Sequence, residues 1–132
     1  MMSYIYVAIG SAIGGTLRYA TSITALHYLG SSFPFGTLIV NICGSFIIGL
    51  CAGFLGGGVE PIQERNIKHF MMIGVCGGFT TFSSFSLETL QLIENAEIVK
   101  AGVNVILSVI LCIVATWLGY FLSKIILKLK GV

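Results

Sequence analysis

Neutral polar side chains recur at helical spacing inside apolar parts of the sequence. Thr37, Asn41 and Ser45 stand four residues apart in one apolar stretch. A second row lies near the other end of the chain, and its members are Asn104, Ser108, Cys112 and Thr116. Residues four apart lie on one face of an α-helix, with a drift of about 40° per step because four residues exceed one turn. Each row therefore predicts a polar ribbon along one helix face.

These ribbons offer hydrogen bonding without charge. Serine and threonine hydroxyls in apolar helices often bond their own backbone or a neighbouring helix, so a structural role is favoured for any single hydroxyl. Asn41 differs, because a primary amide in hydrocarbon is costly unless it is used. Its NH2 group is a pair of donors that suits an anion. For Asn41 we therefore favour a binding role over a structural one.

Three other residue types could act on a charged ligand. Arg18 lies about 20 Å along the first predicted helix, so its guanidinium must face water, protein carbonyls or an anion, or else extend to the interface. Glu88 is the one candidate proton carrier near a span, although it more simply marks the interface end of the third helix. Phe82 and Phe85 stand at i, i+3 and on spacing alone are core residues. Their ring edges carry partial positive charge, so an anion could lie in the ring plane.

The residues that other function classes need are missing. The two histidines, His27 and His69, lie near predicted helix ends, and no Ser, His and carboxylate trio can be placed together. The glycine-rich stretches lack the lysine of a phosphate-binding loop, and the four cysteines stand singly with no CxxC pair. A net charge of +2 without a basic stripe indicates no nucleic acid. The sequence thus predicts no enzyme activity.

Apolar runs set the architecture. Of the 132 residues 56% are hydrophobic and 9% are charged, and no Asp, Glu, Lys or Arg occurs from Tyr19 to Val59 or from Ala101 to Ser123. A membrane-spanning helix needs about 20 residues. Cutting the runs at charges and turn clusters predicts four spans, at 4–29, 35–55, 68–92 and 99–127. We therefore expect an all-α integral membrane protein, with residues 1–132 as a single transmembrane domain.

The third predicted span contains an unusual centre, GVCGGFTT at 74–81. Paired glycines followed by two β-branched residues should break the helix there. Non-helical backbone at that depth persists only where protein or a cavity satisfies it, and the freed carbonyl oxygens suit a hard cation. The alternative is that the glycines permit close helix packing.

Small residues at packing spacing predict helix contacts elsewhere, at Gly10, Gly14, Ser45, Gly49 and Gly53. Four helices of this length bury little polar surface alone, so we also expect an oligomer.

Three blocks of sequence resemble the CrcB/Fluc family of fluoride channels. They are GGTLRY at 14–19, GTLIVN at 36–41 followed by Gly44 and Gly49, and GGFTTFSSFS at 77–86. The last block is the most diagnostic. The resemblance covers nearly the whole chain.

The resemblance implies an antiparallel, dual-topology homodimer in the cell (inner or plasma) membrane. Two narrow pores at its interface lower cytoplasmic fluoride by passive efflux. It also implies that the main-chain carbonyls of Gly77 and Thr80 from both subunits hold one central, structural sodium ion.

The resemblance also implies roles for individual side chains along the fluoride path. These are Asn41 as the pore asparagine, Phe82 and Phe85 as the ring pair, and Ser84, Ser108, Cys112 and Thr116 as a polar track. Arg18 is assigned to the vestibule where the anion enters, and its charge adds positive potential there. Asn104 belongs to the same predicted path, although it stands where a tyrosine is common in the family, because asparagine can still donate a hydrogen bond. Cys112 also departs from the family pattern, since it stands where a hydroxyl is usual.

The distribution of basic residues leaves the assembly open. Five of them fall on the side of both termini, namely Arg65, Lys68, Lys124, Lys128 and Lys130, whereas only Lys100 falls on the other side. This bias favours one orientation, while an antiparallel homodimer requires both. An oppositely oriented partner chain is therefore an alternative to the homodimer.

Two other functions also stay open. A small proton-coupled multidrug exporter would need a carboxylate deep in the first helix, where this chain has Arg18. A non-transporting accessory subunit of a larger membrane complex would need no path at all.

Overall fold

The protein is built from helices throughout the part of the chain that the structure describes. A computed structural model describes residues 2–56 and 60–131, and within them there is no strand. The elements are α1 (Met2–Leu29), α2 (Phe35–Leu55), α3 (Pro61–Ile67), a π-helical segment (Lys68–Cys76), α4 (Gly77–Phe79), α5 (Phe82–Glu94) and α6 (Ile98–Leu129). The elements from Pro61 to Glu94 follow one another without a loop other than the break, and we call them the third span.

Within the described residues, three helical stretches are long and apolar enough to cross a membrane, namely Phe35–Leu55, Pro61–Glu94 and Ile98–Leu129. Large apolar side chains on α6 are exposed, such as Val99 at 80% and Ile113 at 65%, which suits a lipid surrounding. Helix α1 has 28 residues, more than a bilayer requires, but its tyrosines, glycines and Arg18 leave it less apolar than the other three. A crossing by α1 therefore stays a prediction.

The helix limits differ from the predicted ones mainly at the third span. Helices α1, α2 and α6 begin and end within two residues of the predicted 4–29, 35–55 and 99–127. The third span begins at Pro61 instead of 68, because proline at the first helical position starts a turn that the charges of Glu64 and Arg65 do not interrupt. This added turn is polar and exposed.

Glycines bring α1 and the third span into backbone contact. A Cβ atom added at Gly10 would lie 2.5 Å from the Phe70 carbonyl oxygen, and one added at Gly78 would lie 2.6 Å from the Ser11 carbonyl oxygen. A Cβ at Gly14 would overlap the carbonyl oxygen of Val75. The close approach of the two helices therefore depends on these missing side chains.

A second close contact joins α2 to α6. A Cβ added at Gly49 would overlap the Thr116 carbonyl oxygen, and one at Gly53 would overlap the Ser123 hydroxyl. Gly119 plays the reciprocal part, since its Cβ would overlap the Phe46 carbonyl oxygen. The predicted packing positions Gly10, Gly14, Gly49 and Gly53 are confirmed, whereas Ser45 lies along a groove described below.

The third span is broken near its middle, as predicted, but the glycines do not carry the break. Gly77 keeps helical dihedrals, with φ −64° and ψ −36°. The extended residues are Thr80, with φ −77° and ψ 157°, and Thr81, with φ −152° and ψ 116°. β-Branched side chains favour this conformation. Both predictions for this segment are therefore confirmed: Gly74 and Gly78 permit close packing on α1, and the helix is interrupted at Thr80 and Thr81.

We expect Gly14→Ala to lower the thermal midpoint of the purified protein, by the equivalent of about 1–3 kcal/mol, because the new methyl group would push against the backbone of Val75. Gly15→Ala is the matched control, since Gly15 is on the same helix and a Cβ added there would have no atom within 4 Å. Thermal unfolding in detergent, followed by loss of the folded species on size-exclusion chromatography, measures both. Equal midpoints for the two variants would contradict the packing described here.

Candidate functional site

The break in the third span opens onto a groove of about 430 Å³ between α2, the third span and α6. Seven of the predicted site residues line it, namely Asn41, Gly77, Thr80, Phe82, Phe85, Ser108 and Cys112. None of its lining residues, all in the described part of the chain, is Asp, Glu, Lys, Arg or His. The groove is therefore uncharged and has apolar walls with a few hydrogen-bonding groups.

Asn41 holds the broken backbone from the neighbouring helix. Its Oδ1 accepts a hydrogen bond from the Thr81 amide at 2.8 Å, and its Nδ2 donates to the Thr81 carbonyl oxygen at 3.0 Å. One side chain thus pairs both backbone groups of an extended residue, as a neighbouring strand would in a sheet. The amide group has two N–H bonds, so one remains for another acceptor.

Thr81 also begins the next helix. It is 6% exposed, and its Oγ1 accepts from the Ser84 amide at 3.1 Å, which is the usual bond of a helix N-cap. The hydroxyls of Ser83 and Ser84 lie 3.1 Å from the same Oγ1. Ser84, a predicted path residue, is therefore part of the cap of α5.

The two carbonyl groups predicted to bind a cation lack their helical donors. In an uninterrupted helix the Gly77 oxygen would accept from the Thr81 amide, and the Thr80 oxygen from the Ser84 amide. The Thr81 amide instead bonds Asn41, and the Ser84 amide bonds the Thr81 hydroxyl. Both oxygens are thereby released, and both residues line the groove.

The ring pair sits on the first turn of α5. The centroids of Phe82 and Phe85 lie 5.3 Å apart with 48° between the ring planes. Phe82 is 78% exposed, so it is not a core residue of the single chain. The break determines where both rings lie, because α5 begins directly after the extended residues and carries both rings into the groove lining.

The polar row of α6 divides into two parts. Ser108 and Cys112 line the groove. The Thr116 hydroxyl donates to the carbonyl oxygen of Cys112 at 3.0 Å, and Asn104 is 1% exposed and donates to the Thr89 hydroxyl at 2.9 Å. Asn104 and Thr116 therefore lie outside the groove lining.

Arg18 and Glu88 lie away from the groove. Arg18 is half-buried in α1, one turn after Gly14. Glu88 accepts a hydrogen bond from the Thr37 hydroxyl at 2.7 Å and borders a second cavity, of about 360 Å³, beside the α1–α2 loop. It stands in the middle of α5, which continues to Glu94 and is capped by Asn95, so its place at the membrane interface stays a prediction.

Sequence reasoning missed the hydrogen-bonding partners of the site. Thr81 entered only as part of the break, and Thr89 was not singled out. The signal for Thr81 was available, because threonine is a preferred N-cap residue directly before a helical stretch. The pairs Thr37–Glu88 and Asn104–Thr89 join different helices, and spacing along the chain gives no sign of them.

Comparison with known proteins points in one direction. The family model described as CrcB-like protein, Camphor Resistance (CrcB), matches residues 5–120. A protein of Opitutus terrae is 47% identical over 132 residues, covering 99% of each chain. One of Methylocella silvestris is 42% identical over 130 residues, covering 98% of this chain and 99% of its own. Each of these two relatives is named fluoride-specific ion channel FluC.

We expect Asn41→Leu to destabilise the protein by about 1–3 kcal/mol for each Thr81 backbone group that it leaves unpaired. Ser45→Ala is the control, because Ser45 follows on the same helix and lines the same groove without bonding the break. Thermal unfolding of both variants in lipid nanodiscs is the measurement. An Asn41→Leu midpoint equal to that of Ser45→Ala would show that Asn41 does not hold the break.

Proposed function

The chain belongs to the CrcB family, and we propose that it works as a fluoride-specific ion channel that lets fluoride leave the cytoplasm passively. The family match spans residues 5–120, and relatives with nearly full-length coverage carry that name. The protein is a multi-pass membrane protein with fluoride as its substrate, and its family is one of channels, not enzymes. The observation that carries the proposal is the uncharged groove beside the break.

The groove supplies substitutes for the water around a small anion. The spare N–H of Asn41, the Ser108 hydroxyl and the Cys112 thiol are donors, and the edges of Phe82 and Phe85 carry partial positive charge. No Lys, Arg or His side chain lines the groove in the described part of the chain, so no single side chain would hold the anion tightly. Weak sites in succession allow an ion both to enter and to leave.

A second subunit would close the path. Phe82 is 78% exposed, and the groove is open along one side, so a single chain leaves an ion there in contact with solvent or lipid. We propose that the chain forms an antiparallel homodimer whose interface encloses two such grooves as narrow pores. A narrow pore strips water from the ion and favours the smallest halide. In this assembly α1 is the fourth crossing helix.

The remaining path residues take lesser parts in this proposal. Ser84 and Thr116 stay candidates by resemblance, although their hydroxyls already have partners within 3.1 Å. Arg18 stays a candidate for the vestibule, where its charge would raise the local concentration of anions.

The main-chain oxygens at the break fit a structural sodium ion. The Gly77 and Thr80 carbonyls lack helical donors because Asn41 and Thr81 take the amides that would have paired them. Carbonyl oxygens are suitable ligands for a hard cation. Two carbonyls are too few for such an ion, so a matching pair from a second subunit is part of the proposal. A bound cation there would pin the two breaks together at the dimer centre.

The first test is ion efflux from liposomes that contain the purified chain alone. We expect rapid fluoride efflux on an ion-selective electrode and chloride efflux at the level of empty liposomes. Flux by a single purified chain would also exclude the need for an oppositely oriented relative. Comparable chloride flux, no flux of either ion, or proton-dependent transport of an organic cation would reject the proposal.

A second test removes one ring edge. We expect Phe82→Ile to lower fluoride efflux by roughly tenfold, since isoleucine keeps much of the volume but has no positive ring edge. Phe121→Ile is the control, because Phe121 is 51% exposed on α6, stacks on Trp117 and is not among the groove residues. The same electrode assay compares the two at equal reconstituted protein. Equal efflux from both variants would remove Phe82 from the path.

A further inference from the structure

We propose that Asn104 is a positioning residue of the fluoride path, which acts through Thr89 to fix where the ring of Phe85 stands against the polar row of α6. This inference rests on the proposed function and assigns Asn104 a role outside the path itself. It follows from a chain of hydrogen bonds between α6 and α5.

The chain of bonds has two links. The Asn104 amide donates to the Thr89 hydroxyl at 2.9 Å, and that hydroxyl donates to the Phe85 carbonyl oxygen at 2.7 Å. Asn104 is 1% exposed and does not line the groove, so no ion in the groove reaches it. A buried amide in a membrane helix is costly unless it is bonded, and this bond is the one that satisfies its donor side.

The bond lies one helical turn from the groove on both helices. Thr89 is four residues after Phe85 on α5, and Asn104 is four residues before Ser108 on α6. The two helices follow one another through a short turn at Asn95–Glu97. The Asn104–Thr89 pair therefore sets the register in which Phe85 and Ser108, each one turn away along its own helix, both line the groove.

Helix α5 needs such a bond because little else fixes its rotation. The break detaches it from α4, and Leu92 is its one buried residue. Other apolar side chains on α5 are exposed, such as Leu87 at 56% and Leu90 at 50%. Polar bonds therefore hold it: Asn41 at its start, Thr37 from α2 to Glu88, and Asn104 from α6 to Thr89. Of these, the last joins it to the helix that carries Ser108 and Cys112.

The experiment compares Asn104→Leu, Thr89→Val and the double variant with the wild type, by fluoride and chloride efflux from liposomes at equal folded protein. We expect each single variant to lower fluoride efflux by about tenfold and to reduce the fluoride-to-chloride ratio, because the ring wall shifts against the polar row. The double variant should be no worse than Thr89→Val, since the Asn104–Thr89 bond is already lost in each single variant.

Two controls separate positioning from folding. Thr89→Ser keeps the hydroxyl and is expected to retain the wild-type ratio. Thr24→Val makes the same change as Thr89→Val at an exposed hydroxyl bonded to the Ala20 carbonyl oxygen on α1, and should change nothing. Thr89→Val is nearly isosteric, so it serves as the test even if Asn104→Leu does not fold.

The outcomes distinguish this inference from the function on which it rests. A wild type without fluoride flux overturns the channel proposal, and the inference falls with it. An active wild type whose ion ratio is unchanged in Asn104→Leu and Thr89→Val overturns the inference alone. A loss of folded protein with an unchanged ratio also overturns it, because it shows a structural role and no positioning.

Discussion

A backbone that leaves the helical conformation inside a membrane must find its hydrogen bonds within the protein. Thr80 and Thr81 are extended in the middle of the third span. Asn41 meets the constraint by bonding both the amide and the carbonyl group of Thr81. An unbonded amide in an apolar helix is energetically costly. Here the Asn41 amide supplies the hydrogen bonds that the backbone of Thr81 would otherwise make within a helix.

The same bonds create the chemistry of the site. When Asn41 takes the Thr81 amide and Thr81 takes the Ser84 amide, the oxygens of Gly77 and Thr80 lose their donors and become available. A new helix then begins at Phe82, which places the ring pair at the edge of the groove. The break thus supplies carbonyl oxygens and ring edges together, with no formal charge among the groove residues described by the structure.

Much of this arrangement could be predicted from local sequence. Apolar runs predicted the limits of α1, α2 and α6 to within two residues, but not the start of the third span at Pro61. The β-branched residues after the paired glycines predicted the break, because this signal acts over a few residues. The bond partners could not be predicted, since Asn41 and Thr81 lie 40 residues apart and Thr37 and Glu88 lie 51 apart. Asn104 shows the same limit: its row suggested a path residue, but its amide bonds Thr89 and it is not among the groove residues.

Solid-state NMR of labelled protein in lipid bilayers can detect the break and the Asn41 bond that holds it. The chemical shifts of Thr80 and Thr81 report backbone conformation, and a contact between the Thr81 amide proton and the Asn41 side chain reports the bond that holds the break. We expect extended shifts at both threonines and that contact in the bilayer. Helical shifts through Thr81, with no contact to Asn41, would contradict the account.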